Sequence, residues 1–169
     1  MGEATRPILH VSQLAAALRL PVMPSAEPTR LAWETLPLLR SWLDHVRPLD
    51  FDRLTEPTHS RGRSLRNLTV NVFHPFELLP AAWATGEFPW EPERDDERER
   101  ELVDVVGYAE SILAAWTSFV LERGDELGER DPAVSSPRGE VQFSALLESQ
   151  RDHVRFHVGQ LVAFLGKQG

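Results

Sequence analysis

The 169-residue sequence contains no cysteine, and this absence excludes several kinds of site. Disulfide bonds, thiolate zinc centres and cysteine nucleophiles all require a thiol. We therefore expect any metal bound by this chain to be held by histidine, carboxylate or water. The lack of cysteine is also typical of proteins in a reducing compartment, so a cytoplasmic location is expected.

The sequence also lacks long apolar runs and an excess of positive charge. No apolar run approaches the about 20 residues that a membrane-spanning helix needs, so no membrane partner is expected. The start, Met1 to Arg6, has no apolar core of a signal peptide. The formal net charge is −8, and Lys167 is the only lysine. A nucleic-acid-binding protein ordinarily carries a basic surface, so no nucleic-acid partner is expected either.

What the sequence does contain is helical periodicity. Apolar residues recurring at helical spacing predict four long amphipathic helices, and hence an all-α fold built as a four-helix bundle. The first helix is predicted over residues 28–46, and the second begins after Ser64 as its N-cap. The third is predicted from Glu91 to a stop at Gly124, and the fourth follows Gly139. No strand is predicted.

Residues 1–26 differ from the rest of the chain. A short apolar helix with Ser12 as its N-cap is predicted there, and Pro21 and Pro24 end it. We therefore expect an N-terminal arm over residues 1–26 that packs on the bundle or on a partner subunit. The bundle domain is predicted to cover residues 27–169.

An irregular segment is predicted between the second and third helices. Residues 80–92 contain Trp83, Phe88 and Trp90 among glycine and proline. Because exposed tryptophans are uncommon, this segment is expected to fold over the bundle or to line the mouth of a pocket. The acidic and basic run of residues 91–101 follows, and it is typical of a solvated helix face.

Two histidines stand four residues apart in the last helix, His153 and His157. This spacing places both imidazoles on one face, one turn apart. Leu146, Gln150 and Leu161 continue the same stripe, so the rings are expected to face the interior. A paired arrangement of this kind favours a divalent metal. The alternative is a chance pair on a solvated face, with no function.

A third imidazole is available from the second helix, where His74 precedes Pro75. Three neutral imidazoles leave a coordination position open, as catalytic metal sites require. A metal held by His74, His153 and His157 would lower the pKa of a bound water or thiol. Zinc, nickel, iron and copper all accept imidazole nitrogen. Glu77 and Gln150 are expected either to orient these ligands or to serve as ordinary polar residues.

Two stretches carry a resemblance to a known family. Phe143-Ser-Ala-Leu-Leu147, followed by His153-x-x-x-His157-Val-Gly-Gln-Leu161, resembles the last helix of the DinB-like superfamily. That group includes YfiT-type metal hydrolases and mycothiol-dependent maleylpyruvate isomerases. Gly62-Arg-Ser-Leu-Arg-Asn-Leu68 is similar to the signature at the start of the family's second helix. The resemblance covers residues 28–166.

The resemblance implies a function and a ligand register. It implies a metal-dependent enzyme, with zinc or nickel as the expected ion, that transfers a low-molecular-weight thiol such as mycothiol to an electrophilic substrate, isomerises a substrate, or hydrolyses one. It also implies a homodimer. In that register the first metal histidine of many relatives falls on Asn71, three residues before His74. Either His74 takes over the position, or the site has lost a ligand and binds metal weakly.

A second hypothesis belongs to a different class of function. The chain is then a non-catalytic bundle, metal-bound or empty. Its aromatic segment, Trp83 to Trp90, and its N-terminal arm serve dimerisation or the binding of a partner.

Overall fold

The computed structural model describes residues 27–167, which form a mostly helical structure. The all-α expectation is confirmed at this level, whereas the arm predicted for residues 1–26 lies outside the described residues. The helices are α1 (Glu27–Val46), α2 (Phe51–Thr55), α3 (Leu65–Thr85), α4 (Asp95–Glu101), α5 (Val105–Glu129) and α6 (Phe143–Gly166). A 3-10 turn (Pro92–Arg94) precedes α4, and strands β1 (Ala133–Ser136) and β2 (Gly139–Gln142) precede α6. Among the described residues, no helix combines the length and apolar character of a membrane span.

The four long helices pack around one apolar core. Helix α1 contacts α5 and α6, and α3 contacts the same two helices. The largest fully buried side chains include Trp42 of α1 and Trp116 of α5. Their indole N–H groups are satisfied, because Trp42 donates to Thr69 Oγ1 (3.0 Å) and Trp116 donates to Thr35 Oγ1 (2.8 Å). The core therefore buries large aromatic rings without leaving their polar ends unpaired.

Helix α3 is longer than the sequence predicts. Its N-cap is Ser64 as predicted, and the side chain accepts a hydrogen bond from Asn67 N (3.0 Å). The prediction of an irregular segment over residues 80–92 is wrong for its first part, since the helix continues through Pro80 to Thr85, and it holds for residues 86–91. Proline lacks a backbone N–H, but the apolar face of this last turn is buried and keeps the helix together. The helix ends at Gly86, whose φ of 79° is the left-handed conformation that glycine adopts most readily.

The third predicted helix is divided in two. Helix α4 ends at Glu101, and α5 begins after Asp104, whose Oδ1 accepts from Gly107 N (2.9 Å) as an N-cap. The stop predicted at Gly124 is also wrong, because α5 continues to Glu129. Glycine is tolerated there, inside the helix, where Thr29 Oγ1 of α1 donates to the carbonyl of Gly124 (2.6 Å).

A short antiparallel hairpin, β1–β2, separates α5 from α6. The expectation that the chain contains no strand is wrong, since four-residue strands are too short to show a clear alternation. The hairpin is fixed to the segment after α3, because Phe88 N donates to Ser135 O and Ser135 N donates to Gly86 O (2.8 Å each). This pairing holds the hairpin, whose turn contains Arg138, beside residues 86–90, which include Phe88 and Trp90.

Candidate functional site

A cavity of about 670 Å³ opens beside α6, between α3, the aromatic segment and the hairpin turn. Asn71 of α3 and the His153–His157 pair of α6 line it, together with Phe88 and Trp90. The prediction that the aromatic segment lines a pocket is confirmed for these two residues. A cavity of this size, lined both by apolar rings and by many polar and charged side chains, is large enough for a small molecule.

The two histidines of α6 face this cavity from the interior. Their ring centroids lie 4.7 Å apart, and His157 is only 7% exposed. Burial, and to a lesser extent the neighbouring His157, lowers the pKa of His153 to about 4. Burial likewise lowers the pKa of His157. Both rings are therefore neutral at pH 7, which is the form that binds metal or accepts a proton.

Hydrogen bonds orient both imidazoles. His157 Nδ1 donates to Gln160 Oε1 (3.0 Å), so its proton is on Nδ1 and Nε2 is left as a base. His153 Nε2 donates to Asn71 Oδ1 (2.9 Å), so its proton is on Nε2 in this structure. Its Nδ1 lies 3.4 Å from Gln150 Oε1, which is long for a hydrogen bond. Asn71, one of the two alternatives that the sequence left open, is thus the residue of α3 that meets the histidine pair.

Asp95 fixes the orientation of Asn71. This carboxylate is fully buried, and its Oδ2 accepts from Asn71 Nδ2 (2.7 Å). Its Oδ1 accepts from Trp90 Nε1 (3.2 Å) and from His74 Nδ1 (3.0 Å). Because a carboxylate only accepts hydrogen bonds, Asn71 must direct its NH₂ group to Asp95 and its oxygen to His153. Asp95 therefore organises one wall of the cavity.

His74 is directed away from the histidine pair. Besides its bond to Asp95, it lines a separate cavity with Arg94, Glu97 and Arg98. Within residues 27–167, no group of three or more His, Cys, Asp or Glu side chains is placed to hold a metal ion. The arrangement of His74, His153 and His157 around one point is therefore not assembled in the structure. His74 lies about one turn beyond Asn71 on α3, and it is Asn71 that contacts His153, whereas His74 is held by Asp95.

Glu77 and Gln150, which were expected near the predicted metal ligands, have different surroundings. Glu77 accepts from Arg98 Nη2 (2.9 Å) and from Tyr108 Oη (2.6 Å). It belongs to a polar network between α3, α4 and α5, as the alternative of an ordinary polar role predicts. Gln150 is 4% exposed and lies beside His153 within the cavity wall. Gln160, which the sequence analysis did not select, orients His157 instead.

The buried His153 makes stability depend on pH. Its pKa of about 4 lies below the unfolded value of 6.5, so between these values the folded state binds fewer protons than the unfolded chain. As the pH falls from about 7 to about 5, this group alone should lower the free energy of unfolding of the metal-free protein by about 2 kcal/mol. Urea unfolding in chelator at both pH values measures the fall. It should be smaller by that amount in His153→Gln; an equal fall in both proteins would contradict a buried neutral imidazole.

Comparison with known proteins gives no assignment. No protein-family model matches the chain, and no curated protein and no solved structure is significantly similar to it.

Proposed function

We propose that α1, α3, α5 and α6 form a DinB-like four-helix bundle. We also propose that the cavity of about 670 Å³ beside α6, called the main cavity below, is the active site of a metal-dependent enzyme. One observation carries this proposal. Asn71, His153 and His157 meet on one wall of a cavity large enough for a small molecule, with the imidazoles neutral and oriented. Asn71 is also the position that the family register gives to the first ligand.

The donor set fits a divalent ion, with a modest affinity. Two neutral imidazoles suit zinc or nickel once the proton of His153 has moved from Nε2, which faces Asn71 Oδ1, to Nδ1, which faces Gln150 Oε1. The amide oxygen of Asn71 is a weaker third ligand than imidazole. Asp95 lies behind Asn71 and holds it, as a carboxylate behind a metal ligand commonly does. His74 takes no part in this ligand set. A bound ion supplies Lewis acidity, which lowers the pKa of a water or thiol and makes it a nucleophile near neutral pH.

The remaining residues of the site prepare it for a substrate. Gln160 keeps the Nε2 atom of His157 unprotonated, and Asp95 keeps the oxygen of Asn71 directed at His153. Phe88 and Trp90 supply apolar surface on one side of the cavity. We propose a low-molecular-weight thiol, such as mycothiol, and an electrophile as the substrates, in a cytoplasmic homodimer.

A second candidate is a non-catalytic bundle that binds no metal. The hydrogen bond between His153 Nε2 and Asn71 Oδ1 favours it, because this bond satisfies the imidazole without an ion. The effect of zinc on the melting temperature distinguishes the two candidates. An ion bound only by the folded state raises the melting temperature in proportion to the logarithm of its concentration, whereas an empty bundle shows no such rise.

The ligand set is tested by zinc titration of matched histidine variants of the full chain. Replacing His157 by alanine is expected to weaken zinc binding on the order of 100-fold, because one of two imidazole ligands is lost. His74→Ala should keep the wild-type affinity, although it removes the same kind of side chain. Isothermal titration calorimetry measures both. The proposal fails if His74→Ala loses as much affinity as His157→Ala, or if the wild type binds no zinc.

A further inference from the structure

The rim of the main cavity is positively charged, in contrast to the chain as a whole. Arg61 and Arg63, from the loop before α3, and Arg138, from the hairpin turn, all line the cavity. Glu93 is the single carboxylate among its lining residues in the described part of the chain. The formal net charge of the protein is −8, so this positive patch is a local feature and does not reflect the composition.

None of these three arginines is neutralised within residues 27–167. No carboxylate there lies within ion-pair distance of them, whereas Arg47 pairs with Glu110 at 2.8 Å and so illustrates the usual surface arrangement. Arg63 is also partly buried. A guanidinium that has lost part of its hydration and has no carboxylate partner is a suitable partner for a carboxylate or phosphate group.

The charge of Arg63 affects the pKa of both His153 and His157. After burial, which is the main cause, Arg63 contributes to the lowered pKa of both His153 and His157. Arg138 contributes to that of His153, and Asp95 opposes the effect. The guanidinium groups and the imidazoles therefore face the same space, and an anion held at the rim would lie near the proposed reaction centre.

The loop that carries Arg63 is held in one conformation. Arg63 N donates to Ser60 O (3.0 Å), and Arg63 O accepts from both Thr58 N and Thr58 Oγ1 (2.8 Å each). Arg61 has a φ of 54°, in the left-handed region that non-glycine residues rarely adopt. Such a residue costs on the order of 1 kcal/mol and is offset here by the turn that the loop forms. The loop is therefore preorganised at the cavity mouth.

The walls beside the rim are aromatic. Phe88 and Trp90 lie with their ring centroids 6.2 Å apart, and Phe156 lines the cavity although 62% of it is exposed. We propose that Arg63, assisted by Arg61 and Arg138, binds the carboxylate of a small aromatic acid whose ring lies against these walls. This inference rests on the proposed function in one respect: for the acid to be the substrate of that cavity, its ring or side chain must carry the electrophilic group that reacts, because the carboxylate itself does not react with a thiol.

Benzoate and its neutral isostere benzamide test the assignment by calorimetry on the full chain. Metal is first removed with EDTA, and the EDTA is then removed by dialysis, because its carboxylates would compete for the same arginines. Benzoate is expected to bind at least about tenfold more tightly than benzamide, as a charge-assisted pair with arginine requires. Arg63→Gln should remove most of this preference. Arg40→Gln removes the same charge from an exposed position on α1 outside the cavity, and it should leave the preference unchanged.

Three results would overturn the inference. These are equal binding of benzoate and benzamide, equal effects of Arg63→Gln and Arg40→Gln, and binding of inorganic phosphate as tight as that of benzoate. The melting temperature of Arg63→Gln should equal that of the wild type, because the loop is held by backbone contacts. Failure here leaves the zinc titration unaffected, and benzoate binding in a protein that takes up no zinc would sustain this inference while removing the proposed metal function.

Discussion

Replacing Asn71 by histidine is expected to raise the affinity for zinc on the order of 100-fold. The Oδ1 atom of Asn71 already lies 2.9 Å from His153 Nε2, so an imidazole at this position is directed to the same wall of the cavity. It replaces a weak amide ligand with a strong one. Asp95, which now accepts from Asn71 Nδ2, can accept from the new ring and hold it in place.

Calorimetric titration with zinc measures the gain, and a double variant provides its control. The increase should disappear when Asn71→His is combined with His157→Ala, because the gain requires the pair on α6. An Asn71→His protein that binds zinc no better than the wild type would show that this position does not face the metal site.

Removing the carboxylate of Asp95 should lower both the stability of the protein and its affinity for zinc. Asp95→Ala leaves three buried or partly buried donors without their acceptor, namely Asn71 Nδ2, His74 Nδ1 and Trp90 Nε1. Buried donors without hydrogen-bond partners destabilise the folded state, so we expect the free energy of unfolding to fall by about 3 kcal/mol. Zinc affinity should fall about tenfold as well, since Asn71 is no longer oriented. Urea unfolding and zinc titration measure the two effects.

Glu97→Ala is the matched control on the same helix. Glu97 is 63% exposed, and its nearest approach to Arg94 is 3.6 Å, so its removal should change stability by less than about 0.5 kcal/mol. If Asp95→Ala is as stable as Glu97→Ala, Asp95 does not organise the cavity wall.

Much of the helical structure follows from the sequence, because long helices repeat their apolar pattern over many turns. Helix α1 and the N-cap Ser64 of α3 are examples. Features that depend on tertiary contacts cannot be predicted from the local sequence. Pro80 and Gly124 carry local signals for helix ends, yet packing against neighbouring helices keeps both helices continuous. The hairpin is too short for its alternation to be distinguished from helical or irregular sequence.

The candidate site, too, can be predicted from the sequence only in part. The spacing of His153 and His157 predicts a pair on one face, since only the geometry of one helix is needed. Which residue of α3 meets this pair depends on how two helices are rotated against each other, and the choice between Asn71 and His74 stayed open for that reason. Asp95 could not be distinguished within its run of charged neighbours, because its burial comes from Trp90 and α3 rather than from any local pattern.

Anomalous diffraction at the zinc edge, from crystals of the full chain grown with zinc, tests the central claim most directly. We expect one strong peak at about 2.0 to 2.3 Å from an imidazole nitrogen of both His153 and His157 and from the oxygen of Asn71. A peak beside His74 and Asp95, or no peak in the main cavity, would contradict it.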